Sequence, residues 1–104
     1  MTIRSLFATQ LYEAELGHPD LLVALAHSCR QLAEDDAAGI GWSAEHGYRG
    51  YTSYASLNDL PQRDPDFADL ARILNRHVAR FAEGCAFDLG GRRLKLDSLW
   101  VNIL

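Results

Sequence analysis

Apolar residues recur along this chain at two different spacings, and each spacing predicts its own kind of element. Between Pro19 and about Asp35, Leu22, Leu25, Ala26, Cys29, Leu32 and Ala33 recur every three or four residues, the signature of one helix face. Pro19 suits the first turn, where a missing N–H costs nothing, and Asp20 sets a negative charge at the positive dipole end. Glu34, Asp35 and Asp36 crowd the other end, which the dipole disfavours, so fraying is expected there, with Gly39 and Gly41 ending any continuation. A second helical stripe, Phe67, Leu70, Ala71, Leu74, Val78, Phe81, Ala82 and Cys85, follows an N-cap at Asp64 and a first residue at Pro65, and Gly84 marks its end.

The other spacing is two. From Arg92 to Leu104, Ser98, Trp100, Asn102 and Leu104 fall on one face and Leu99, Val101 and Ile103 on the other, which predicts a long strand. Gly90-Gly91 before it suits a two-residue hairpin with Ala86 to Leu89. Ser5 to Leu16 alternates less regularly and is expected as a further strand. Ile40 to Leu60 reads as a loop rich in aromatic residues, within which Tyr51 to Leu57 could form a short strand. The expected fold is α+β, with two helices packed on one side of a small, mainly antiparallel sheet. Residues 1–104 make a single domain or part of one, and three or four strands cannot build an eight-stranded jelly roll.

Composition narrows the function. Hydrophobic residues make up 48% of the 104, which places the chain among globular proteins, and the formal net charge is -4. Lys95 is the lone lysine and Arg92-Arg93 the sole adjacent basic pair, so phosphate-backbone binding to nucleic acid is not expected. No apolar run approaches a membrane span and no signal pattern opens the chain, which points to the cytoplasm. Cys29 and Cys85 both occupy apolar helix positions and read as free thiols rather than a disulfide.

Few residues carry chemistry. His18 and Asp20 have an H-x-D spacing, but a turn and helix start explains them far more readily. His27 reads as solvated and His77 as a core-edge residue, which leaves His46, in the aromatic loop, as the one candidate histidine. No zinc spacing, phosphate loop or nucleophile elbow occurs. Two groups remain. Asn102, beside Trp100, could donate and accept to a carboxylate-bearing ligand, or could simply be a surface amide of a sheet. Tyr48, Tyr51, Thr52, Ser53 and Tyr54 could lid a pocket or could pack against the sheet.

The segments LFATQLYEAEL, AEDDAAG, GYRGYTSYASLNDLP and FDLGGRRLKLDSLWVNIL, in this order, resemble a bacterial family of Fe(II)/2-oxoglutarate-dependent oxygenases. The resemblance covers nearly the whole chain. It implies a double-stranded β-helix, or jelly-roll, fold of which this stretch is the helical lead-in and first strands. Family members continue past the W-V-N-I-L strand into a histidine-rich motif and further strands that carry the iron ligands and a basic residue for 2-oxoglutarate. No catalytic residue and no metal ligand therefore carries over, and Fe(II) and 2-oxoglutarate are implied only for a complete protein. Only Trp100 and Asn102 carry over, as lining of the cosubstrate pocket; His46, Tyr48, Tyr51 and Tyr54 stay candidates for a substrate pocket or lid on the reading of the aromatic loop alone. The alternative is a non-catalytic interaction module. In either case the edge strand 93–104 expects a neighbour, either the remaining C-terminal part of the fold or a homodimer partner.

Overall fold

The computed structural model describes residues 1–104, and the fold is α+β with four helices and one two-stranded sheet. Helix α1 spans Pro19–Asp35, α2 Ala37–Glu45, α3 Leu60–Arg63 and α4 Pro65–Gly84. Strand β1, Tyr51–Thr52, pairs antiparallel with β2, Asn102–Ile103, in the register Tyr51 to Ile103 and Thr52 to Asn102.

The two long helices form where periodicity and caps place them. The Asp64 carboxylate accepts the Asp66 amide at 2.8 Å and starts α4, with Pro65 in its first turn. Phe67 and Leu70 on α4 meet Leu25, Cys29 and Leu32 on α1, and Leu60, Tyr51 and Val101 complete the core. The Ser28 hydroxyl ties the pair together by donating to Asp66 at 3.0 Å. The α1 stripe is turned relative to expectation, with Leu22 and Ala26 exposed and Ser28 buried, whereas every residue of the expected α4 stripe is buried or half-buried and Ile73 joins it.

The acidic end of α1 does not simply fray. Asp36 closes α1 through its amide, bonded to the Leu32 carbonyl, and caps α2 through its carboxylate, bonded to the Gly39 amide at 3.1 Å. Gly39 and Gly41 thus lie inside a helix rather than ending one. The helix-propensity cost of two glycines, about 1 kcal/mol each, is offset by this cap and by what packs on Gly39. A Cβ there would come within 2.7 Å of the Ser56 hydroxyl and 2.9 Å of the Tyr51 ring, so α2 approaches β1 closely enough to admit only glycine. The expected loop Ile40–Leu60 is therefore helical to Glu45, and helix resumes at Leu60.

The expected sheet is the larger correction. Ser5–Leu16 is unpaired coil, exposed throughout except for half-buried Leu16. Tyr12 anchors it, with its hydroxyl 2.6 Å from His77 Nδ1 and its ring 6.0 Å from Phe81. Gly90 and Gly91, both with positive φ, do make a turn closed by the Arg92 amide on the Leu89 carbonyl, but no ladder flanks it. Of Arg92–Leu104 only Asn102–Ile103 is assigned to a strand. Alternation survives there all the same, because Val101 is buried and Leu99 and Ile103 half-buried, while Trp100, Asn102 and Leu104 face out. The radius of gyration, 17.7 Å, exceeds the roughly 13 Å of a compact chain this long, in keeping with an exposed N-terminal arm.

Candidate functional site

The β1–β2 pair has two sides of opposite character. On the inner side, hydroxyl groups substitute for a sheet ladder. Ser43 and Ser53 are 2% and 0% exposed, and Thr52, 3% exposed, links the two sides with its amide on Ser43 and its hydroxyl on Asn102; each is satisfied. The Ser43 hydroxyl donates to the Gly39 carbonyl at 2.7 Å and accepts the Thr52 amide at 3.1 Å. Ser53 sends its amide to the Val101 carbonyl at 3.0 Å and receives the Val101 amide on its hydroxyl at 2.9 Å. Beside them, the Asp36 carboxylate accepts Tyr51 Oη at 2.7 Å and Ser56 Oγ at 2.6 Å.

This arrangement moves two pKa values. Burial alone would raise the Asp36 carboxyl. Hydrogen bonds from Ser56, Tyr51 and the Gly39 amide, with the charge of Arg63, outweigh it and hold the group below its ordinary value. Tyr51 moves up, first through burial and then through its bond to, and the charge of, Asp36. A phenol held so far towards its neutral form is a donor to Asp36 and no candidate proton carrier near neutrality. The cluster is a latch that joins α2 to the sheet.

The outer side is aromatic and open. Trp42 and His46 stack with centroids 4.1 Å apart, Tyr54 meets Trp42 edge-on at 6.5 Å, and Trp100 meets Tyr54 edge-on at 5.1 Å. The helical i, i+4 spacing makes the first contact, and His46 Nδ1–H fixes it by donating to the Trp42 carbonyl at 2.8 Å. Asn102 shares the Trp100 face. Its Oδ1 accepts Thr52 Oγ1 at 2.7 Å, which leaves the amide N–H groups free towards solvent. A row of ring faces ending in two amide donors suits a planar or apolar ligand that carries a carboxylate.

The structure thus gathers four of the six sequence candidates, His46, Tyr54, Trp100 and Asn102, on one surface. Tyr51 belongs to the latch and faces inward, and Tyr48, half-buried, is outside the aromatic row. Trp42, at the centre of the row, could have been found from its i, i+4 relation to His46 once residues 37–45 were read as helix. Asp36 had a signal too, an N-cap three residues before Gly39. A cleft of about 400 Å³ lies elsewhere, lined by Ala79, Ala82, Ala86, Phe87, Leu89 and Leu94 with Arg93 and Glu83, and shares no residue with the row.

No three His, Cys, Asp or Glu side chains converge to hold a metal ion, and both cysteines are free. No helix is long and apolar enough to cross a membrane. Neither the protein-family models nor the curated proteins compared with this chain match it.

Proposed function

We propose that residues 1–104 are the lead-in part of a jelly-roll Fe(II)/2-oxoglutarate-dependent oxygenase, a scaffold that contributes one wall of a cosubstrate pocket. The side chains present do not fit iron: His18, His27, His46 and His77 do not converge with a carboxylate, so no step through a metal is assigned to this stretch. Support comes from the quoted sequence segments and from one observation above all. Asn102 offers unused amide donors beside Trp100, on the solvent side of a strand whose outer edge has no neighbour. In an antiparallel pair, alternate residues turn their backbone groups to opposite edges. Tyr51 pairs with Ile103 and Ser53 bonds Val101, so Trp100, Asn102 and Leu104 point their N–H and C=O groups outward. A further strand laid there would turn the aromatic row into the side of a cavity.

The test has two parts. The isolated chain, given Fe(II) and 2-oxoglutarate, is expected to show no ligand-dependent thermal stabilisation, and a clear shift at micromolar iron would overturn the scaffold-only role. The reading frame after Leu104 is expected to stay open into a histidine-containing motif, and an immediate stop would overturn the oxygenase reading. The same open edge favours a second reading, a non-catalytic module that dimerises or takes a partner strand at residues 93–104. A strictly monomeric chain in light scattering would count against that one.

A further inference from the structure

The cleft of about 400 Å³ at the end of α4 is apolar along one half and cationic along the other. What makes it is the way α4 stops. The Ala86 amide bonds the Glu83 carbonyl at 3.0 Å and the Phe87 amide bonds the Ala82 carbonyl at 3.1 Å, with Ala86 at the left-handed φ of +54° that such a helix stop requires. Glycine is the usual residue there, and alanine instead adds a methyl to the cleft lining. Phe87 and Leu94 line the same space and stand about half in water. Farther on, Asn75 Oδ1 accepts the Leu96 amide at 2.6 Å and pins the returning chain to α4. Beside that bond a recess of about 380 Å³ is lined by Asn75, Arg76 and Lys95, and it shares Ala79, Arg93 and Leu94 with the apolar cleft, so the two are continuous.

We infer that this groove binds a single-chain amphiphilic carboxylate of medium acyl length, its head among Arg76, Arg93 and Lys95 and its tail running past Ala79 and Leu94 towards Ala86 and Phe87. Charge supplies the head. The ion pairs of this chain are Arg63 with Asp59 and Arg72 with Asp69, so Arg76, Arg93 and Lys95 have no carboxylate partner of their own. A guanidinium fork matches a carboxylate with two parallel hydrogen bonds, and an anion placed there meets a net positive wall. The apolar lining supplies the tail, because an acyl chain would take the exposed faces of Phe87 and Leu94 out of water. Orientation is fixed by the other end, where Glu83 and the last carbonyls of α4 repel an anion. Length is fixed by the helix. From Arg76 to Ala86 the groove runs about 15 Å at roughly 1.5 Å per residue, the reach of a decanoate or dodecanoate chain. The strand edge used in the proposed function begins at Trp100, so a following strand there does not compete with a ligand here.

The experiment is calorimetric titration of the 104-residue chain with free straight-chain carboxylates, each below its micelle concentration. Dodecanoate is expected to bind at one site with a Kd on the order of 0.1 mM. From octanoate to dodecanoate each two-carbon step should tighten binding several-fold, under the limit of about fifteenfold for complete burial, and longer chains should add nothing. Arg76→Gln, Arg93→Gln and Lys95→Gln together should weaken dodecanoate about tenfold, and Leu94→Asn should flatten the chain-length series. All four side chains are exposed, so these variants keep the core intact, which circular dichroism checks. A chain that binds no dodecanoate, that binds dodecyltrimethylammonium equally well, or whose affinity keeps climbing beyond the dodecanoate length overturns the inference. Indifference to the three cation changes overturns it too. So does sedimentation with phosphatidylglycerol vesicles in the absence of any binding to free dodecanoate, which would assign the groove to a membrane surface. Iron-dependent stabilisation would sink the scaffold reading of the proposed function and leave this groove untouched, and a failed titration would do the reverse.

Discussion

The segment from Asp36 to Leu57 and the N-terminal arm invert the usual expectation about which residues a protein hides. The first buries Ser43, Thr52 and Ser53, and the second leaves Ile3, Leu6, Phe7 and Leu11 in water. Polarity does not decide burial by itself. A hydroxyl that both donates and accepts inside the fold loses little by leaving water, because every bond it gave up is replaced. An apolar side chain gains by burial only if a complementary surface lies within reach. Ser43 and Ser53 have such partners in Gly39, Thr52 and Val101, whereas the arm before Tyr12 has none in its own chain.

Substitutions can break or sharpen that contrast. The largest effect is expected at Gly50, just before β1. Its φ is +124° and an added Cβ would collide with the Ile103 carbonyl, so Gly50→Ala should cost roughly 3 kcal/mol or more in chemical denaturation. Next comes Ser53→Ala. It removes the acceptor of the buried Val101 amide, and thermal and chemical melts should show a loss of about 1–3 kcal/mol. An unchanged melt would mean that the Ser53 hydroxyl is not what holds the two strands together.

Tyr51→Phe should cost less, about 1 kcal/mol once partial exposure of Asp36 is allowed for. Its dependence on pH is the sharper readout. The folded Asp36 pKa is depressed, so its contribution is present above the ordinary carboxylate value of about 4 and disappears as pH falls through the folded value. The folded Tyr51 pKa is raised, so its contribution is whole below the ordinary phenol value of about 10 and disappears as pH climbs through the folded value. Stability measured against pH should therefore fall at both extremes in the wild type. Tyr51→Phe should lack the alkaline component, and Asp36→Asn should flatten the acid limb. The smallest effect belongs to the arm. Phe7→Ser should change the unfolding free energy of the monomeric form by no more than about 0.5 kcal/mol, although Phe7 is more apolar than any residue of the latch. A loss comparable to that at Ser53 would show that the arm is packed and would erase the contrast.

Legibility in the sequence followed the range of the forces involved. Helix α4 was readable to its ends because Asp64, Pro65 and Gly84 act within one turn and its apolar stripe repeats locally. The alternation of Leu99, Val101 and Ile103 against Trp100, Asn102 and Leu104 was readable for the same reason, since a pleat fixes it residue by residue. What could not be read was pairing. The Ser5–Leu16 pattern satisfies a strand template, but a strand exists only where another lies alongside it, and residue spacing does not reveal which one does. Gly39 and Gly41 read as breakers because intrinsic propensity says so. At Gly39 the close approach of Tyr51 and Ser56, 12 and 17 positions further on, reversed that reading; nothing packs on Gly41.

By itself the sequence determined the positions of the two long helices, the caps of α4, and which side of the last segment turns inward. The tertiary structure alone decided that Asp36 gathers Tyr51 and Ser56. It likewise decided that Trp42, His46, Tyr54 and Trp100 form one row, and that β2 has a neighbour on one edge only. The physical reason is that caps and periodicities are satisfied by groups a few bonds away. A hydroxyl's partner, a ring's neighbour and a strand's mate lie tens of residues distant and are chosen when the chain closes on itself.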